Sequence, residues 1–400
     1  MQLYSQQPFW LVRDGMIASY NSLDKNISVD VAIIGAGISG ALAAYYLRNT
    51  GLSVAVIERR HVGIGSTAAS TAFLQYEIDT PLAKLCNYVG FKNAVRSYQL
   101  CREAIYTIES ICKSLKPEFD FHIRPSLQYA SFKKDVKELH NEYRLRKQCG
   151  FDVSWLEPGD LQKKFGITAP GGLLSKDGGE VDAYMLTHAL LMATHRRGHG
   201  IYTNTNVTAI THQKRGATLL TDRGNTIKAK NVIIACGYES MKYLPKQVAQ
   251  VHSTYAIVSE PVSTASLWQS DSLVWETANP YMYFRKVDKD RILVGGKDDE
   301  FHHPNIRSST IRKKAQLLEN SFNKRVPHLS IRTDYCWGGA FAVTKDGLPY
   351  IGKINQFPHT YFALGYGGNG ITFSVIAAQI LRDQLLGKNN KDAHIFNFSR

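Results

Sequence analysis

The chain has 400 residues, 44% of them apolar and 20% charged, and its 48 Lys and Arg against 34 Asp and Glu give a formal charge of +14. That length supports two domains and a sizeable buried core, and the composition excludes a disordered or fibrous chain. No stretch approaches the ~20 apolar residues of a membrane span, and the opening MQLYSQQPFWLVRDG lacks the basic, apolar and small-residue blocks of a signal peptide, so a cytoplasmic location is expected.

The first legible unit is Asp30 to Ile34, a short apolar run leading into Gly35-Ala36-Gly37-Ile38-Ser39-Gly40. A helix is predicted from Ile38 to about Arg48, and LSVAVIE then forms a second buried strand ending in Glu58. Strand, G-x-G-x-x-G, helix, strand and acid at this spacing make a dinucleotide-binding β-α-β unit. Gly35 permits the tight turn, Gly37 the approach of a pyrophosphate, and Gly40 close packing of helix on strand. The helix N-terminus offers N–H donors to phosphate. Glu58 would bond ribose hydroxyls, which disfavours a 2′-phosphate.

Residues 61 to 81 are rich in Gly, Ser, Thr and Ala, suited to lying along a cofactor. Tyr98, Cys101, Ile105, Ile108, Cys112 and Leu115 recur at spacings of 3 and 4, which places both cysteines on the inner face of a helix. None of the six cysteines forms a C-x-x-C pair, so no metal site is expected. Two basic helices are predicted over 132 to 147 and 311 to 325, with the charge assigned to solvated faces. Between them, IYTNTNVTAI, GATLLTD and NTIKAKNVIIACG read as three strands. The C-terminal third adds two glycine clusters, WGGAFAVTKDGLPYIG and LGYGGNGITF, the second opening a helix near Ile371.

In this order the motifs resemble the D-amino-acid oxidase superfamily of FAD-dependent oxidoreductases, which includes glycine oxidase, sarcosine oxidase and γ-glutamylputrescine oxidase; the roof and C-terminal motifs lie nearest the last of these. The resemblance implies an α/β fold (α+β overall), with a Rossmann-like FAD-binding domain and a second, mostly antiparallel substrate domain. The expected division is 1–82, 166–248 and 335–400 for FAD, and 83–165 and 249–334 for substrate. It also implies non-covalent FAD. Gly35, Gly37, Ser39 and Gly40, with Ala36 and Ile38 between them, would hold the pyrophosphate, and Glu58, Arg59 and Arg60 would face the adenosine. Gly65, Ser66, Thr67, Ser70 and Thr71 would line diphosphate, ribitol and flavin. Val207 would meet the adenine, Ala235, Cys236 and Gly237 the pyrophosphate, and Gly368, Asn369, Gly370, Ile371 and Thr372 the flavin C2=O edge. Gly339 and Asp346 complete the cofactor set.

Two departures bear on substrate. Amino-acid oxidases of the family commonly read W-x-G-x-R-P-x-T-x-D-G, and the arginine that clamps a carboxylate is Phe341 here. In glycine oxidase a second arginine precedes the Asn-Gly of the last loop, where this chain has Gly368. A phenyl ring cannot replace a bidentate guanidinium, so a small α-amino acid held in that manner is not expected. The expected substrate is an amine or substituted amino acid, oxidised at a C–N bond by hydride transfer to flavin N5, with oxygen, a quinone or a protein as acceptor. The substrate face is expected to comprise Gln75, Tyr76, Glu77, Tyr281, Tyr283, Arg285 and Phe341, with a structural ion pair an equal alternative for Arg285 and a salt bridge the alternative for Glu77. Lys286 or Lys297 could promote oxygen reduction, but each is expected to be an ordinary surface lysine. Two alternatives stay open: oxidation of a modified tRNA nucleoside, which the net charge suggests, and a non-catalytic or electron-carrying flavoprotein.

Overall fold

The computed structural model describes residues 4–115, 119–263, 268, 271–300 and 308–400. Two sheets organise it. In the first, strands Tyr350–Lys353, Thr360–Leu364, Thr226–Ile234, Ile27–Ile34, Val54–Ile57 and Gly200–Tyr202 lie side by side in that order. The pairings from Thr360–Leu364 through to Gly200–Tyr202 are parallel. Strands Val207–Gln213 and Gly216–Thr221 extend it as an antiparallel flap. IYTNTNVTAI, expected as one strand, is therefore two, because Thr203 to Asn206 turn the chain out of the parallel sheet before Val207.

Strands of a parallel sheet covered on both faces are apolar without alternation, yet their side chains still point two ways. Val31, Ile33, Val54 and Val56 enter the core beneath the helices, while Ala32, Ile34, Ala55 and Ile57 pack with Ala217 and Leu219. Helix Ile38–Leu47 follows the first strand, and helix Gly370–Leu385 lies against it, with the Ser39 and Ser374 hydroxyls 2.7 Å apart. Two helix N-termini thus sit at the same edge of the sheet.

The second sheet runs Tyr4–Ser5, Thr333–Val343, Gln250–Ser259, Arg291–Glu300, Met282–Val287, Leu273–Glu276, His122–Tyr129, Gly172–Glu180, Phe73–Leu74, with Val153–Leu156 also on Gly172–Glu180. It is antiparallel except where Leu273–Glu276 meets His122–Tyr129. Helix Ser308–Arg325 covers one face through Ile311, Leu318 and Phe322, which pack on Ile257, Phe284 and Val294. Pairing puts Phe73–Leu74, Gly172–Glu180 and Thr333–Val343 in this sheet, so each segment expected in the FAD domain also lends a strand to the other one.

Helix Phe91–Leu115 buries Tyr98, Cys101, Ile105, Ile108 and Cys112, as their spacing requires. The basic helix Val136–Gln148 departs from a purely solvated face. Its Arg146 is 1% exposed and ion-paired with Glu142 and Glu77, so part of that charge is core structure.

Candidate active site

The cleft at the two helix N-termini is built by close backbone approaches. Gly35 has φ +108°, and a Cβ there would lie 2.5 Å from the Ala235 carbonyl oxygen. One at Gly40 would lie 1.9 Å from the Gly35 oxygen, so only glycine lets the helix start this near the turn. Glu58 accepts N–H bonds from Ala36 and Arg60, which fixes its carboxylate beside the loop. The Ile38 N–H is met by the Thr67 hydroxyl at 3.0 Å, tying the loop to the short helix Ser66–Ala69.

A cavity of about 220 Å³ occupies this cleft. Gly35, Gly37, Ile38 and Ser39 line it from the first loop, and Glu58, Arg59 and Arg60 from the end of the second strand. Gly65, Ser66, Thr67 and Ser70 form one wall; Val207, Ala235, Cys236 and Gly237 form another. Gly370 and Ile371 close the end. Ala36 and Gly40 shape the turn without lining it. Arg59 is held by Glu239 at 2.6 Å, and burial pushes the Cys236 thiol up to about 12, so it stays protonated. An acid at the strand end, a bare backbone turn and paired helix N-termini suit an adenine dinucleotide with free ribose hydroxyls.

A second cavity of about 170 Å³ continues from the first, sharing Ser66, Ser70, Gly370 and Ile371 with it. Thr71, Gln75, Gly339, Phe341, Gly368, Asn369 and Thr372 line it, and Tyr281 and Tyr283 project from the antiparallel sheet. Tyr283 lies across Gly295, where a Cβ would be 2.3 Å from its ring, so that glycine admits the tyrosine. Phe341 leans on His252, with centroids 5.9 Å apart.

Several expected substrate residues lie elsewhere. Tyr76 is fully buried, stacked on Phe151 at 4.9 Å, because the chain bends at Tyr76 and Glu77 and turns both inward. Glu77 pairs with Arg146 at 3.4 Å; burial pushes its carboxyl up to about 7, with Arg146 opposing. Arg285 is buried behind the cavity wall and does not line it, its Nη1 bonded to Glu180 at 3.1 Å and its Nε to the Thr71 carbonyl at 3.0 Å, so two of its three guanidinium nitrogens are held by the scaffold. Lys286 stands 3.5 Å from Asp271 in a separate surface cavity, and Lys297 does not line either interior cavity. Asp346 is held by Arg400 at 2.8 Å and accepts the Leu348 N–H, making it the latch of a turn rather than a cofactor contact.

Two acids that the sequence reading passed over face the cavity instead. Asp79 accepts the Gly368 N–H at 2.8 Å and the Tyr281 hydroxyl at 3.3 Å. It is exposed where it borders the cavity, and the protein around it raises its carboxyl above the usual range by desolvation. Asp298 is the second residue of a β-bulge. Pairing shifts between Ser253 and Tyr255, leaving Lys297 and Asp298 opposite Thr254, and Lys297 takes φ +59°. Such a bulge re-aims the next side chain. Burial pushes the Asp298 carboxyl up to about 6; the Thr254 hydroxyl and Lys314 oppose the shift, and Asp79 and Asp299 add to it. The sequence signals were an acid two residues beyond Glu77 and the GGKDD run.

A family model described as FAD dependent oxidoreductase matches residues 30–384. Glycine oxidase of Bacillus licheniformis is 25% identical, with 92% of this chain and 96% of that protein covered. Gamma-glutamylputrescine oxidoreductase of Escherichia coli is 24% identical, covering 92% and 86%. Among solved structures, glycine oxidase from Geobacillus kaustophilus superposes with a TM-score of 0.80 at 21% identity, covering 93% of this chain and 99% of that one. L-proline dehydrogenase from P. horikoshii superposes at 0.78 and 17%, covering 94% and 97%. No helix among the described residues is long and apolar enough to cross a membrane. With FAD fitting the cleft described above, the chain belongs to the DAO family of FAD-dependent oxidoreductases.

Proposed function

We propose that the protein oxidises a C–N bond of an amine bound in the second cavity, against FAD held in the first. The observation that carries this reading is the continuity of the two cavities at Ser66, Ser70, Gly370 and Ile371. When bound, FAD supplies the two-electron oxidation, accepting hydride from the carbon beside the amine nitrogen.

The chain's own residues do the rest. Gly35, Gly37 and the N-terminus of helix Ile38–Leu47 orient the diphosphate, and Glu58 the ribose. The N-terminus of helix Gly370–Leu385, whose Gly370 and Ile371 line both cavities, would offset the negative charge of a reduced flavin held there. Asn369 supports that loop by donating to the carbonyls of Gln75 and Glu77, at 3.1 and 2.9 Å. Tyr281, Tyr283 and Phe341 exclude bulk water and position the carbon.

The test is anaerobic titration of the yellow holoenzyme with a panel of amines and amino acids. Bleaching by an amine is the expected result. A flavin that no amine or amino acid bleaches, while dithionite does, overturns the reading and favours an electron-carrying role.

A further inference from the structure

The second cavity has the opposite sign to the molecule around it. The chain carries +14 overall, yet no Lys, Arg or His lines the cavity among the described residues, while Asp79 and Asp298 both do. At Gly368 the reversal is direct: a Cβ there would meet Asp79 Oδ1 at 2.9 Å and Oδ2 at 3.2 Å, so the carboxylate occupies the space a side chain at 368 would take. The ring of Phe341 likewise brings no charge. A substrate carboxylate would find no counter-ion here and two like charges.

A cation would find the reverse. The two carboxylates are near enough to repel each other, and Asp298 Oδ1 is shielded and has no hydrogen-bond partner; the cation that acts on Asp298, Lys314, lies outside the cavity lining and is ion-paired with Asp299 at 2.6 Å. Tyr281 and Tyr283, with ring centroids 5.8 Å apart, add aromatic faces that favour an ammonium group.

One cationic nitrogen does not satisfy both the site and the reaction. Hydride loss requires the reacting nitrogen to be neutral, and a carboxylate beside an amine holds it protonated. An acid pair is compatible with turnover when it holds a different nitrogen from the one being oxidised.

We infer that the substrate is an aliphatic diamine or polyamine without a carboxylate, whose non-reacting ammonium is held by Asp79 and Asp298 while the other nitrogen is oxidised. This rests on the amine-oxidation reading above. Asp298 is the specificity-determining group that nothing else in the cavity replaces, and Asp79 acts with it from the facing loop.

Binding separates the two ideas. The holoenzyme, reduced with dithionite so that it cannot turn over, is dialysed to equilibrium against 1,3-diaminopropane, 1,4-diaminobutane, 1,5-diaminopentane, 1-aminobutane and 4-aminobutanoate. The expected result is at least one diamine binding about tenfold or more tighter than the monoamine, with the amino acid weakest. Asp298→Asn and Asp79→Asn bring that diamine to the monoamine level, and Asp298→Glu retains a preference; bound-flavin absorbance verifies the fold of each. Equal binding of monoamine and diamines, or an unchanged ratio in a folded Asp298→Asn, overturns the inference. If oxidised flavin is still bleached by an amine in that case, the amine-oxidation reading stands without it. Diamine preference in an enzyme that no amine bleaches sinks the reading instead.

Discussion

The carboxylate of Asp79 accepts the backbone N–H of Gly368 at 2.8 Å, joining the end of the Gly/Ser/Thr-rich segment to the glycine loop before helix Gly370–Leu385. This bond holds an acid where relatives that oxidise glycine are expected to place an arginine. Gly368→Ala should therefore act through Asp79. The new methyl would meet a carboxylate oxygen at 2.9 Å, and that flexible end can move, so the fold should survive with a stability change within about 1 kcal/mol. The KM for diamine should rise several-fold with FAD content unchanged. Steady-state kinetics alongside flavin absorbance checks both.

Gly40 gives the contrasting case. A Cβ at this position would sit 1.9 Å from the Gly35 carbonyl oxygen, which is backbone and cannot swing aside. Gly40→Ala should push helix Ile38–Leu47 off the turn and cost FAD binding at least tenfold. Fluorescence titration of the apoprotein with FAD measures this, and wild-type affinity would show that the turn tolerates the displacement.

The nucleotide unit was legible because each of its parts has a local sequence cause: apolar strands, obligatory glycines, an acid at the strand end. The substrate cavity was less so. In the stretch from Gln75 to Asp79, proximity to the flavin segment selects Gln75 and, beside it, Tyr76 and Glu77. The bend at those two residues breaks alternation, buries them and leaves Gln75 and Asp79 on the cavity. Asp298 depends on a bulge whose existence follows from pairing with a strand some forty residues away. Arg285 was placed in the right strand, but its partner Glu180 comes from a distant segment. Such long-range partners leave no periodicity to read.

Arg146 makes a separable stability prediction. It lies between Glu142 at 2.8 Å and Glu77 at 3.4 Å, all three buried. Arg146→Met would leave two carboxylates without their cation and should cost about 3–5 kcal/mol. Glu77, already pushed up to about 7 mainly by burial, would rise further. A folded carboxyl raised above its unfolded value loses stability as pH rises, so the variant's deficit should be larger at pH 8 than at pH 6. Urea unfolding at the two pH values tests this, and equal deficits would argue that neither acid is forced to protonate.

Asp298 sets an acid limb on substrate recognition. Its folded carboxyl is pushed up to about 6 from the ordinary 3.8, first by burial and then by Asp79, against Thr254 and Lys314. It is ionised above this value, so kcat/KM for a diamine should rise as pH increases through about 6. The stability effect has the other sign: the raised pKa makes folding less favourable as pH climbs from about 4 to 6. Asp298→Asn should remove the limb from kcat/KM and flatten the matching part of the urea midpoint profile. A limb that persists unchanged in the variant assigns it to another group.

Phe341 and the two acids together determine what an arginine could do at this site. Phe341→Arg introduces the residue type that the sequence resemblance implies for binding a carboxylate at this position, but here the guanidinium would enter a cavity already lined by Asp79 and Asp298. The nearest counter-ions would then be those acids, and an arginine paired to them is not free for a substrate carboxylate. The single variant should retain FAD, lose diamine turnover by tenfold or more, and gain no activity on glycine or sarcosine. Combined with Asp298→Asn and Asp79→Asn, the same arginine has no competing acid in the cavity and should confer measurable binding of a small carboxylate. Flavin absorbance perturbation by acetate in the single and triple variants reads this directly. Equal acetate binding in both would mean that the acids do not engage residue 341, and the charge of the cavity would then not explain why arginine is absent there.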